Sequence, residues 1–362
     1  MEKDIETLQG VLKSDPSNFQ ARRELSILLL NNGFNEEAEG NLKYLIKYFP
    51  DDAELYYNLG IVSEKLKNFE DAKSAYQKAI ELSPQEDFYY NLGEVFVELK
   101  EWNNAIEAFN KVLESDSKDG NSYFNLGLCY FKLDEKKLAS DNFQKAVELN
   151  PNDIFAYFYL GNIYQEDGLT NFAAECYQKV LAISPDYSWA YFNLGSIAFS
   201  NGNLEEAESF LKKTLEYNPA DIEAYKLLTK ICLREGEIEE ILEILHTRLE
   251  KEENGDLFYC LARVYKYIGE ADKYSENLNK ALENSLTLTF DQTVVKKEKL
   301  YIEAKNEQHA GFDSEMEIPE YEEESEPEEE PAEESESDDE YDEFEEEDDE
   351  EYEYDDVEED DG

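Results

Sequence analysis

Positive charge, histidine and cysteine are all scarce in this chain. Only 33 Lys and Arg stand against 89 Asp and Glu in 362 residues, a formal net charge of −56. Nucleic acids and anionic lipid surfaces attract proteins mainly through basic side chains that displace counterions. Neither is expected as a partner, and a basic protein is the charge-compatible choice. The two histidines, His246 and His309, have no neighbours at ligand spacing, and His246 reads as a helix-surface residue. Phosphate-cradling Gly-x-x-x-x-Gly-Lys, Gly-x-Ser-x-Gly and His-Glu-x-x-His signatures are all missing. No catalytic residue, metal site or cofactor is therefore expected, and the chain reads as a non-enzyme. The four cysteines, Cys129, Cys176, Cys232 and Cys260, form no Cys-x-x-Cys pair. Thiols scattered through apolar segments read as small core residues in a reducing compartment. Long apolar runs are missing as well: none approaches the ~20 residues needed to span a bilayer. The start, Met1 to Ile5, has neither the basic nor the apolar region of a secretory leader. The expected location is cytoplasmic, with no membrane association.

What is abundant is acid, and it is unevenly placed. Residues 311–362 hold 33 Asp and Glu and no Lys or Arg, leaving 56 acids against 33 bases in residues 1–310. A segment of this composition buries too little apolar surface to offset chain entropy, so 311–362 is expected to be a disordered acidic tail. Two uses suggest themselves: a solubilising brush, or a polyanion that attracts basic client proteins and offers them Tyr341, Phe344, Tyr352 and Tyr354. Such attraction reaches roughly one Debye length, ~8 Å at physiological salt, and so would be salt-sensitive. Ser325, Ser335 and Ser337 each precede an acid by three residues, a context that suits an acid-directed kinase.

The remainder repeats. Leu-Gly pairs at 59–60, 92–93, 126–127, 160–161 and 194–195 are 33 or 34 residues apart, and Pro16, Pro50 and Pro84, like Pro151, Pro185 and Pro219, recur every 34. Ser117 stands at the missing proline position. Within a unit, Tyr123, Leu126, Gly127 and Tyr130 share one helical face, as do Ala139, Phe143 and Ala146. Leu133 to Lys136 supplies a polar turn between them. Gly127 and Ala139 permit close backbone approach, Phe143 fills the gap between helices, and Pro151 ends the second helix. The unit is a helix hairpin that buries its apolar faces by stacking on copies of itself.

This pattern resembles the tetratricopeptide repeat (TPR) family. Its aromatic, Leu-Gly, Tyr, Ala, aromatic and Pro positions appear here as Tyr157, Leu160, Gly161, Tyr164, Ala173, Tyr177 and Pro185. The resemblance extends over 53–221 and weakens at both ends. It implies an all-α, right-handed superhelical solenoid of helix-turn-helix repeats. The expected organisation is an N-terminal half-repeat at 1–18, then repeats at 19–52, 53–85, 86–119, 120–153, 154–187, 188–221, 222–254 and 255–288. A capping helix at 289–310 and the tail at 311–362 follow. In the half-repeat Ile5, Leu8 and Val11 face inward. In the cap Val294, Val295, Leu300, Tyr301 and Ala304 cover the last repeat, while Lys296, Lys297 and Lys299 face water.

In this architecture the residues two and three before the Leu-Gly glycine project into a concave groove. Here they are Tyr57 and Asn58, Tyr90 and Asn91, Phe124 and Asn125, then Phe158 and Tyr159, and Phe192 and Asn193. Phe131 and Phe199 follow one turn later, and Trp189 lies one turn earlier. Aromatic faces and asparagine amides suit a peptide or helix of a partner protein, held without reading its side chains. The same residues also fit a purely structural role, with the aromatics packing against the adjacent repeat and the amides closing local hydrogen bonds. Family members that grip an acidic C-terminus do so with basic residues, and here Tyr57, Tyr90 and Phe124 replace them. The leading expectation is an interaction scaffold that holds a partly apolar partner in its groove, and the alternative is a chaperone-like protein binding basic clients through its tail. The residues leave the oligomeric state open.

Overall fold

The computed structural model describes residues 2–309, so the segment 311–362, expected to be disordered, lies outside the described residues. Eighteen α-helices and no strand occur among the described residues. After α1 (Glu2–Ser14) come the hairpins α2 (Phe19–Asn31) with α3 (Asn35–Ile46), α4 (Ala53–Lys65) with α5 (Phe69–Leu82), and α6 (Glu86–Glu98) with α7 (Trp102–Ser115). The series continues with α8 (Gly120–Lys132) and α9 (Lys136–Leu149), α10 (Ile154–Glu166) and α11 (Thr170–Ile183), and α12 (Ser188–Ser200) and α13 (Leu204–Tyr217). The last hairpins are α14 (Ile222–Glu235) with α15 (Ile238–Leu249) and α16 (Gly255–Tyr267) with α17 (Ala271–Glu283); α18 (Gln292–His309) ends the series. Each second helix packs on the first helix of the next hairpin. The chain is an all-α repeat solenoid.

The turn inside each hairpin is built the same way. One residue adopts the left-handed conformation: Gly33, Lys67, Lys100, Asp134, Gly168, Gly202, Gly236 and Gly269 in succession, 33 or 34 residues apart. The next amide donates back five residues, as from Asn68 to the Ser63 carbonyl (2.8 Å) and from Glu135 to Tyr130 (2.9 Å). This closes carbonyls that the helix end would otherwise leave open. Between hairpins the prolines sit just past the second helix, and Asp52, Asp119, Asp153 and Asp221 cap the helix that follows.

Inside each central hairpin the decisive contact is between a glycine and a ring sixteen residues on. A methyl group added at Gly93 would lie 2.7 Å from the Phe109 ring, at Gly127 2.7 Å from Phe143, and at Gly161 2.6 Å from Tyr177. Gly60 meets Tyr76 the same way, and all four rings are fully buried. At Gly195 the opposing residue is Leu211, and the approach relaxes to 3.2 Å. The divergent hairpins use Leu as well: Leu42 lies sixteen residues after Ser26, Leu245 after Thr229 and Leu278 after Ala262. The buried hydroxyls of Ser26 and Thr229 donate to carbonyls four residues back, those of Arg22 and Tyr225, each at 2.7 Å.

At the N-terminal end Ile5 and Leu12 are buried, with Leu8 and Val11 partly buried against the same cluster. At the other end the structure corrects the expected capping face. Of Val294, Val295, Leu300, Tyr301 and Ala304, only Val295 is buried, and Ile302, seven residues on, is its partner. The helix is turned because Glu298, on the Val295–Ile302 stripe, accepts from the Tyr259 hydroxyl (3.2 Å) and pairs with Lys266 (3.1 Å). The connection before it is pinned by Asp256, which accepts from the Thr289 amide and hydroxyl, both at 2.7 Å, and from the Phe290 amide at 3.3 Å.

Two glycine substitutions should move stability in opposite directions. Replacing a helical glycine by alanine normally stabilises by about 0.5–1 kcal/mol. Gly40 in α3 has open space around it and should show that gain. Gly127→Ala should instead lose about 1–3 kcal/mol, because the Phe143 ring is locked in the core and overpacking wins. Urea midpoints of both variants test this, and a stabilised Gly127→Ala would refute the close-approach account.

Candidate functional site

The first helices of successive hairpins touch one another directly, α4 with α6, α6 with α8, α12 with α14 and α14 with α16, and so form an inner file. The aromatic residue three before each glycine lies on this file and packs on the ring that fills the glycine gap. Ring centroids are 5.8 Å apart for Tyr57 and Tyr76, 5.7 Å for Tyr90 and Phe109, 5.7 Å for Phe124 and Phe143, and 5.9 Å for Phe158 and Tyr177. Tyr57 also stacks on Phe88 of the next first helix at 4.5 Å. These aromatics are half-buried, one face in the core and the other turned outward. Phe131 meets Tyr159 edge-on at 5.3 Å, and Phe192 packs on the C-terminal core cluster.

The asparagines form a ladder between repeats. Asn91 donates to the Tyr57 hydroxyl of the preceding repeat at 3.2 Å and lies 3.4 Å from that of Tyr76. Asn125 donates to the Tyr90 hydroxyl at 3.3 Å, and Asn193 to the side-chain oxygen of Asn162, also at 3.3 Å. Asn58, in the same helix as Tyr57, donates within that helix, at the Glu54 carbonyl (2.8 Å). Asn91, Asn125 and Asn193 thus each spend a donor between repeats, and an amide oxygen can also accept.

On α10 and α12 two rings are more than half exposed. Trp189 is 56% exposed, and Phe155, 34 residues earlier at the same place in the preceding first helix, is 52% exposed. Sequence reasoning named Trp189 and passed over Phe155, although the repeat register would have found it. Phe199 carries two cations against its ring, Lys230 at 5.2 Å and Arg234 at 4.9 Å.

The electrostatics of the file differ along its length. Burial raises the carboxyl pKa of Glu64 and Glu94, and Glu98 raises both further by repulsion, as Glu64 does for Glu94. The Tyr76 hydroxyl partly offsets this at Glu64, donating to it at 3.1 Å. Burial and the nearby carboxylates Glu94 and Asp119 push the Tyr90 phenol up to about 12. Elsewhere, burial pushes Cys129, Cys232 and Cys260 up to about 12 and Cys176 up to about 11, so all four are thiols at neutral pH, a poor form for nucleophilic chemistry. His246 is exposed, with Nε2 3.0 Å from the Tyr265 hydroxyl.

The repelling carboxylates give a stability prediction with a definite sign. A carboxyl whose folded-state pKa is raised disfavours the fold while ionised, and the penalty fades as pH falls through that raised value towards the ordinary 4.5. Glu94→Gln should therefore raise Tm at pH 7, with the gain shrinking on mild acidification. Thermal unfolding at pH 7 and under mild acid checks it; an unchanged or lowered Tm at pH 7 contradicts a penalty from burial and repulsion at Glu94.

Comparison with known proteins adds a family to this geometry. Tetratricopeptide repeat models match residues 24–87, 93–134, 120–153, 142–171 and 164–231. Among solved structures, the C-terminal part of a TPR repeat-containing protein from Cytophaga hutchinsonii is 14% identical with a TM-score of 0.52, over 73% of this chain and 95% of that one. PilF of Pseudomonas aeruginosa is 18% identical with a TM-score of 0.50, over 59% of this chain and 97% of that one. MamA is 30% identical over 46% of this chain and 97% of its own, with a TM-score of 0.43. No curated protein matches the chain significantly. No described helix is long and apolar enough to cross a membrane. With its hairpin turns, its glycine-to-ring contacts and matches to repeat models along most of the described solenoid, the chain belongs to the tetratricopeptide repeat family.

Proposed function

We propose that this TPR protein is a non-enzymatic interaction scaffold whose inner file of first helices holds a peptide or helix of a partner protein. TPR repeats are in general protein-interaction modules, and the finer assignment concerns where this one binds. The observation that carries it is the pair Phe155 and Trp189, large rings more than half exposed on consecutive first helices. Around them Phe124, Phe131, Phe158 and Phe192 present half-buried rings on the same file. Isolated apolar side chains on a surface are ordinary, but a row in one register is a candidate interface. Aromatic side chains dominate interfaces because they bury much area at little entropic cost.

Their exposure also makes the test clean. Tyr90 and Phe124 support the core, so truncating them would confound binding with stability. Phe155→Ala with Trp189→Ala should leave Tm nearly unchanged and lose at least tenfold in partner affinity. Capture from a native lysate with wild-type and doubly substituted full-length baits, washed in low and in high salt, reads the difference. Partners retained equally by both baits in high salt would refute groove binding. Partners lost to salt alone and indifferent to the two substitutions would move binding to the acidic segment 311–362.

A further inference from the structure

The inner file changes sign along its length. On α4 and α6 it bears Glu54, Glu64, Asp87, Glu94 and Glu98; Glu54, Asp87 and Glu64 all act on Tyr57, and Glu64 and Glu98 on Glu94, so they share one neighbourhood. Lys65 is the cation that acts on Glu64 there. The middle, from α8 to α12, presents the rings of Phe124, Phe131, Phe155, Phe158 and Trp189. On α14 and α16 the charge is positive: Lys230 and Arg234 lie against Phe199, and Arg263 is exposed on the next first helix. Lys226, paired with Glu223 (2.8 Å), and Lys266, paired with Glu298 (3.1 Å), belong to the same end.

Clustered carboxylates on α4 and α6 cost the free protein stability, and each end repels a partner of its own sign. A partner carrying the opposite sign at each end relieves both. Resting on the groove reading above, we infer that the groove selects a protein segment of split charge, cationic where it meets Glu64 and Glu94, apolar across α8 to α12, and anionic where it meets Arg234 and Arg263. Helices in contact lie about 8–10 Å apart, so the four steps from α6 to α14 span roughly 35 Å. At ~3.3–3.6 Å per extended residue, about ten residues separate the two charged ends. Complementary ends fix the direction in which the segment lies and suppress partners with the same sign at both ends.

Three synthetic peptides of equal length test this on the full chain. All share one apolar centre; one carries three Lys at one end and three Glu at the other, one carries Lys at both ends, and one Glu at both. The readout is Trp189 emission, with Trp189→Phe as the blank, so that a cationic peptide held only by residues 311–362 gives no signal. The split-charge peptide should half-saturate at a concentration at least tenfold below either of the others. Arg234→Glu with Arg263→Glu, both at exposed positions, should shift the preference to the doubly cationic peptide. If the three peptides are equivalent, or the variant does not change their order, the charge selection is overturned while the groove remains. If none moves Trp189 emission in wild type, the groove reading fails and this inference with it.

Discussion

A glycine facing a ring sixteen residues later sets the distance between the two helices of each central hairpin, and the inner file inherits its form from that distance. Because the ring of Tyr76 or Tyr177 lies where a Cβ would sit, it reaches through to the inner side, where its hydroxyl becomes a hydrogen-bonding post. Tyr76 meets Glu64 and Asn91 there, and Tyr177 meets Asn162 (2.8 Å) and Gln165 (2.9 Å). Where the ring is Phe109, no hydroxyl exists, and Asn125 keeps only the bond to the Tyr90 hydroxyl, the counterpart of the one Asn91 makes to Tyr57. The aromatics of the file then pack on these rings, tilted or edge-on, at nearly constant separation. Core and candidate binding surface are thus two sides of one layer, which is why Tyr57 and Phe124 pack on buried rings while lying on the candidate surface.

The terminal hairpins show what happens when the constraint is dropped. Serine, threonine or alanine at the glycine position needs more room, and a branched Leu opposite supplies it by withdrawing the flat ring. The hydroxyls so buried would be costly if left alone, and bonding four residues back along their own helix satisfies them without a partner from outside. The C-terminal hairpin adds a docking device that the central ones lack, since Asp256 gathers the connection to α18 through three hydrogen bonds.

The fold class was legible because its causes are local and repeated. Gly127 and Phe143 lie within one unit, and a spacing of 34 exposes every such pair at once. Features that depend on how one unit is rotated against the next were not legible. The partner of Asn91 lies 34 residues away on another helix, and no pattern in the sequence says which way the amide turns. The helix of the cap formed where expected, but its buried face differs for a related reason. The helical period of α18 allows more than one apolar stripe, and the choice of Val295 with Ile302 is made by Glu298 meeting Tyr259 and Lys266. Phe155 is different in kind: it shares Trp189's register, and reading the first turn of α10 by the same clock would have named it.

A file that carries exposed rings and clustered like charges is a poor surface for a protein whose only task is to fold. In a globular domain such a defect would weaken the whole cooperative unit. In a solenoid each repeat contacts only its neighbours, so stability is a sum of local terms. Repulsion between Glu64 and Glu94 is therefore charged to α4 and α6, while the glycine-to-ring layers beneath them and in the hairpins beyond are untouched. The same locality lets the charge of one end change without altering the packing of the other. Repeat architecture in this way confines the cost of an unusual surface to the helices that bear it, even where its residues also support the core.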